Sequence, residues 1–116
     1  MNPRLSILIA TTPDRRAMFE ALRDELARQA YGLCQTFGDE KCGTMWNAEV
    51  EVHWHEDAKV LSIGSKRQAM IQAATGDYVA HFDSDDWPAP NYVASILKAI
   101  ETNPDTVGIR IRVEGL

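Results

Sequence analysis

Cysteine is scarce in this chain: 116 residues carry only Cys34 and Cys42. They stand eight residues apart with no second pair, which is poor material for a structural zinc site. The opening Met1-Asn2-Pro3-Arg4 leads straight into a strand-like run and has no signal-peptide layout. Both cysteines are therefore expected to be free thiols in a reducing cytoplasm, with a local disulfide as the alternative. Long apolar runs are missing too. The longest, Leu5 to Ala10, already contains Ser6 and falls far short of the ~20 residues that a membrane span needs. There is no excess of positive charge either, since 12 Lys and Arg face 17 Asp and Glu for a net −5. Residues 1–58 hold 10 acids and 6 bases, and residues 59–116 hold 7 and 6, so neither half is a basic module of the kind that binds nucleic acid. No internal repeat or low-complexity segment is present.

What remains is ordinary globular material. Hydrophobic residues make up 45% and charged residues 25%, which excludes disordered and fibrous classes. Residues 1–116 are expected to form one domain that buries roughly two-thirds of its unfolded surface. Arg4 to Ala10 reads as a strand buried on both faces of a parallel sheet. Thr12 can then cap a helix, Pro13 suits its first position, and Asp14 faces the positive dipole end. Met18, Leu22 and Leu26 recur on one side of that helix, flanked by Phe19 and Ala30, and Gly32 can end it. Residues 33–48 show neither helical nor strand period and read as a long loop. Glu49 to Trp54 alternates like a strand, and its mixed faces suggest a place nearer the sheet edge. Val60 to Ile63 offers a brief extended piece, and Gly64 to Arg67 opens a short helix with Ala69, Met70 and Ala73, closed by Gly76.

Tyr78 to Phe82 is a third strand that runs into Asp83-Ser84-Asp85-Asp86. A helix with Val93, Ile96, Leu97 and Ile100 on one stripe follows and ends at Asn103-Pro104, and Thr106 to Val113 offers a final strand. This order predicts an α/β fold, three layers α/β/α around a mostly parallel sheet. In such sheets ligands bind beyond the carboxyl ends of the strands. Thr11-Thr12-Pro13, Glu56-Asp57 and Asp83 to Asp86 should converge there.

Asp83, Asp85 and Asp86 crowd three carboxylates into four residues. Like charges repel unless a cation or a set of donors neutralises them, and Mg²⁺ or Mn²⁺ suits one or two carboxylates plus phosphate oxygens. The plain alternative is an acidic turn, but Asp83 directly follows Phe82 and should lie near the sheet interior, where an unpaired carboxylate is costly. Lys66 and Arg67 sit in the first turn of their helix, where the dipole disfavours cations and a docked phosphate would favour them. Thr11, Thr12 and Pro13 can offer polar groups to a planar ring, though as a helix cap they need no such role. Asp57 could accept from a ribose or base or simply be a loop carboxylate. His53 and His55 share a strand face and read as surface residues, while His81 reads as buried and hydrogen-bonded. Trp87 would either pack under a ligand or close the core.

The ordered string Lys66-Arg67-Gln68-Ala69, then Ala74-Thr75-Gly76-Asp77-Tyr78-Val79-Ala80-His81-Phe82-Asp83-Ser84-Asp85-Asp86, behind Leu5 to Pro13 and its helix, resembles family-2-like glycosyltransferases of GT-A fold in their nucleotide-sugar-binding half. The resemblance covers most of the chain, although residues 33–48 match nothing in it. It implies a nucleotide-diphosphate sugar donor, a hydroxyl acceptor and Mn²⁺ or Mg²⁺. By it, Thr11, Thr12 and Pro13 would line the nucleoside pocket and Asp57 would contact the base. Lys66 and Arg67 would lie near base or diphosphate, Asp83 would reach the ribose or bind metal through water, and Asp85 would ligate the metal. Such enzymes usually continue for about a hundred further residues that supply the acceptor pocket and, in inverting members, the base. No residue here matches that base, so a minimal or truncated enzyme is expected, with apolar surface available for self-association.

Two other readings compete. One is a non-catalytic nucleotide-binding module. The other is a haloacid-dehalogenase-type phosphohydrolase, because Phe82-Asp83-Ser84-Asp85 also resembles that family's nucleophile motif, although the motif normally lies on the first strand and the only lysine after it here is Lys98.

Overall fold

The computed structural model describes residues 4–30, 35–38, 42–56, 70–72, 74–84 and 86–105. Strand β1 (Leu5–Thr11) is followed by a 3₁₀ turn (Pro13–Arg15) and helix α1 (Arg16–Gln29). Next come β2 (Gln35–Gly38), β3 (Cys42–Trp46), β4 (Val50–Glu56), β5 (Tyr78–Asp83) and helix α2 (Tyr92–Ile100). The five strands form one sheet in the order β2-β3-β4-β1-β5. β4, β1 and β5 run parallel, while β2 and β3 form an antiparallel hairpin that continues onto β4. The α/β class expected from the sequence is present, with a mixed sheet.

The hairpin lies inside the stretch that reads as a loop. Its strands are short, and Gly38 pairs with Gly43, so there is little periodic signal. The hairpin also corrects the expected place of β4, which is flanked by β3 and β1 and is not an edge strand. Its mixed faces have another origin. Val50, Val52 and Trp54 face the core, whereas Glu51, His53 and His55 line the opposite side.

One apolar layer lies between the sheet and the two helices. Leu5, Ile7 and Ile9 of β1 join Val50, Val52 and Trp54 of β4, with Tyr78, Ala80 and Phe82 of β5 packed alongside. From α1 come Phe19, Leu22 and Leu26, and from α2 Val93, Ile96 and Ile100. The buried stripe of α1 thus runs through Phe19, and Met18, expected on it, is 52% exposed. Phe19 meets Trp54 with ring centroids 5.8 Å apart, and Phe82 meets Tyr92 edge-on at 5.3 Å. Burial pushes the Tyr92 phenol up to about 12.

Polar side chains close the helix ends. Asn47 Nδ2 donates to the Ala30 carbonyl after α1 (2.6 Å), and its Oδ1 accepts from the Glu49 and Val50 amides that start β4 (both 2.8 Å). Arg4 donates from Nη2 to the Ile100 carbonyl (2.9 Å) and to Asn103 Oδ1 (2.8 Å), and Asn103 takes the left-handed conformation (φ 53°) that ends α2. Met70 to Gln72 are helical, as expected, and Met70 is buried. Gly32, the extended piece at 60–63, the helix start at 64–67 and the strand at 106–113 lie outside the described residues.

Candidate functional site

Strand register brings the expected ligand edge together. Thr11 is level with Glu56, and Ala10 is level with both His55 and Asp83. Because β1 lies between β4 and β5, its exit turn Thr11-Thr12-Pro13 stands between the other two strand ends. Thr11 is buried, Thr12 half-buried and Pro13 exposed. Pro13 opens the 3₁₀ turn as its fixed φ favours, but Thr12 makes no side-chain cap and instead donates its hydroxyl to Asp14 Oδ1 (2.5 Å). Asp57, Lys66, Arg67 and Asp85 lie outside the described residues.

Asp83 ends β5 with its side chain exposed, which corrects its expected place near the interior. The same alternation exposes His81, expected to be buried. Strand period is the cause: Tyr78, Ala80 and Phe82 point to the core, so Val79, His81 and Asp83 point away. The Asp86 amide donates to the Asp83 carbonyl (3.0 Å), and Ser84 lies in a turn. Ser84 is buried, and its hydroxyl has no hydrogen-bond partner among the described residues. Trp87, just beyond, does not close the core, because it is 63% exposed.

Among the described residues, no three His, Cys, Asp or Glu side chains gather closely enough to hold a cation. A Mg²⁺ or Mn²⁺ site needs less than that from the protein: one or two carboxylates, with waters and phosphate oxygens completing the shell. The exposed Asp83 carboxylate that ends β5 is a hard oxygen donor and fits that chemistry.

Glu56 has a different place from the one its neighbour Asp57 suggests. Its side chain is 3% exposed and is gripped by Arg16 from the first turn of α1, with Nε to Oε1 at 3.0 Å and Nη2 to Oε2 at 2.6 Å. A guanidinium pairs with a carboxylate in this two-point geometry, and the pair ties the head of α1 to the end of β4. Sequence reasoning missed Arg16. The signal was available, since a cation in a first helical turn is disfavoured by the dipole and so points to a partner.

Glu51 was missed as well. It is buried at the other end of β4, where its Oε1 accepts from the Ser6 hydroxyl (2.5 Å) and the Thr75 amide (2.6 Å). Its Oε2 accepts from the Thr75 hydroxyl (3.0 Å), and the Gly76 amide donates to Ser6 Oγ (2.8 Å). Burial by itself would raise the Glu51 carboxyl, but the hydrogen bonds from Ser6, Thr75 and His53 together hold it below the usual carboxylate value. His53 shares a face with His55 as expected, yet it is not a surface residue. Thr44 Oγ1 lies 2.8 Å from its Nδ1, and Glu51 Oε1 lies 3.0 Å from its Nε2. The Ala74-Thr75-Gly76-Asp77 link, which carried part of the family resemblance, is thereby pinned to β1 and β4 and sets where β5 begins.

A cavity of about 410 Å³, lined by Arg4, Glu49, Leu97, Lys98 and Glu101 among others, opens at the start of β1 and the end of α2, away from the edge with Asp83. Among the described residues no helix is long and apolar enough to cross a membrane. No curated protein and no solved structure matches the chain. The model of the family described as glycosyl transferase family 2 matches residues 55–115. That span takes in the end of β4, the link to β5, the aspartate turn and α2, more than half of the chain. On this match the chain belongs to glycosyl transferase family 2.

Proposed function

We propose that the chain binds a nucleotide-diphosphate sugar across the carboxyl ends of β4, β1 and β5 and takes part in transferring the sugar to a hydroxyl acceptor. The observation that carries this reading is the convergence of Thr11 and Asp83 on one sheet edge, inside a chain of this family. Thr11, Thr12 and Pro13 line the nucleoside, and Asp57 accepts from the base. Lys66 and Arg67 attract the diphosphate. Asp83 reaches the ribose or holds Mn²⁺ or Mg²⁺ through water, and Asp85 is the direct ligand. When bound, the cation neutralises charge that develops on the leaving diphosphate.

In the transfer, the bond from sugar C1 to the diphosphate oxygen breaks with its electrons on the diphosphate. A bond from the acceptor oxygen to C1 forms, and the acceptor hydroxyl's proton passes to water. The chain's part in this is to hold the donor still and keep the leaving group's charge matched.

A thermal-shift panel of UDP, GDP, their sugars and the free nucleosides, each with and without Mn²⁺, tests the proposal, because ligands of the native state raise the melting temperature. The expected result is stabilisation by diphosphates that depends on Mn²⁺ and is lost in Asp85→Ala. No stabilisation by any diphosphate would refute it. Stabilisation without sugar transfer or donor hydrolysis would restrict the chain to donor binding.

A further inference from the structure

Trp87 is the most exposed of the large hydrophobic side chains among the described residues, at 63%, ahead of Met18 at 52%. A bare indole next to the aspartate turn has a cost in water and is not explained by packing. Its backbone is nevertheless firmly held. On one side the Asp86 amide is bonded to the Asp83 carbonyl at 3.0 Å. On the other, Pro88 is buried, and the Ala89 carbonyl accepts from Gln29 Nε2 (2.8 Å) and from the Tyr92 amide (3.0 Å). Pro88 and Pro90 remove further freedom from the segment. A large aromatic face that is presented to solvent from a rigid backbone loses little entropy on binding, which is the property of a recognition residue.

Its neighbours narrow the ligand. Asp83 and Asp86, four and one residues before it in the chain and both exposed, are acceptors and repel anions. An exposed indole that follows hydrogen-bond-accepting carboxylates in the chain suits a ring with C–H groups on its flat side and hydroxyls at its rim. We infer that Trp87 is a stacking platform for a pyranose ring, with Asp86 accepting from the ring's hydroxyls. The inference rests on the donor reading above and adds to it the residue that would hold the sugar. The pyranose can belong to the donor or to a saccharide acceptor, and the test separates the two.

Isothermal titration of the full chain with UDP, GDP, UDP-glucose and GDP-mannose in Mn²⁺ is compared with Trp87→Ala and Trp87→Phe. A surface truncation of this kind should leave the melting temperature nearly unchanged. For a donor sugar, Trp87→Ala weakens the nucleotide sugars roughly tenfold and leaves UDP and GDP within about twofold, while Trp87→Phe keeps most of the affinity. For an acceptor sugar, the nucleotide sugars are unaffected, and quenching of tryptophan fluorescence by methyl glucosides disappears in Trp87→Ala. Equal weakening of diphosphates and their sugars overturns the inference, as does an unchanged response to both sugar arms. If UDP and GDP fail to bind the native chain, the donor reading falls, and the glucoside titration alone decides the platform: quenching that needs Trp87 supports it, and no quenching overturns it.

Discussion

Gly76→Ala is the sharpest probe of how the link before β5 is seated. A Cβ at this position would lie 2.5 Å from Ser6 Oγ, 2.8 Å from Ser6 N and 3.0 Å from Leu5 C. Space, and not an unusual backbone angle, is what requires glycine here. The Ser6 hydroxyl could swing away, but it would then abandon Glu51 and leave a buried carboxylate short of one donor, at about 1.5–3 kcal/mol. The Ser6 amide cannot swing, because β1 is paired on both sides by β4 and β5. Forcing a methyl group against that backbone costs about 1–3 kcal/mol. The two responses overlap, so we expect a loss of about 2–4 kcal/mol, a large share of the ~5–15 kcal/mol of a typical domain. Urea unfolding at pH 7, followed by the fluorescence of buried Trp54 and by far-ultraviolet circular dichroism, measures it. Combined with Ser6→Ala, the loss should be smaller than the sum of the two single losses, because the Ser6 hydroxyl's bond to Glu51 can be forfeited only once. A loss below about 0.5 kcal/mol for Gly76→Ala would refute the close seating of the link.

Three further outcomes are expected. Arg16→Ala should destabilise the fold by about 1–3 kcal/mol, less than a fully buried pair would lose because Arg16 is 37% exposed, and urea midpoints check this. Glu51 has a lowered pKa in the folded state, so its contribution is fully present above the unfolded value of about 4.5 and is lost as pH falls from there through the folded value. Urea midpoints taken from pH 7 to pH 3 should therefore fall more steeply at the acid end in the native chain than in Glu51→Gln; parallel curves would contradict the buried network. Tyr92 has the opposite sign, with a folded value of about 12, so stability should drop as pH rises from 10 toward 12, and phenolate absorbance should show its late titration.

The parts of the fold legible in the sequence were those with strong period and uniform burial. β1 and the stripe of α2 are of this kind, and register alone brings Thr11 level with Glu56 and Ala10 level with Asp83. The hairpin was not legible, because strands of four and five residues with paired glycines carry almost no pattern. β4 misled for a physical reason: alternation normally marks one face in water, but here the polar face holds Glu51, buried and bonded by Ser6 and Thr75, and His53, half-buried with Thr44 at its Nδ1. β5 misled in the converse way, since Tyr78 to Phe82 looks uniformly apolar while His81 points out of the core. Buried polar partners come from segments far apart in sequence, Ser6 with Glu51 and Arg16 with Glu56, and local pattern holds no record of them.

Paramagnetic broadening by Mn²⁺ reports which sheet edge holds the cation. In a ¹⁵N-labelled chain saturated with UDP or GDP, substoichiometric Mn²⁺ should broaden the amides of Ala10 to Thr12, Glu56 and Phe82 to Ser84. The amides of Glu51, Thr75 and Gly76, about 15–20 Å away along the strands, should stay sharp. Broadening centred on that far edge, or none at either edge, would contradict a cation-bridged diphosphate at the aspartate turn.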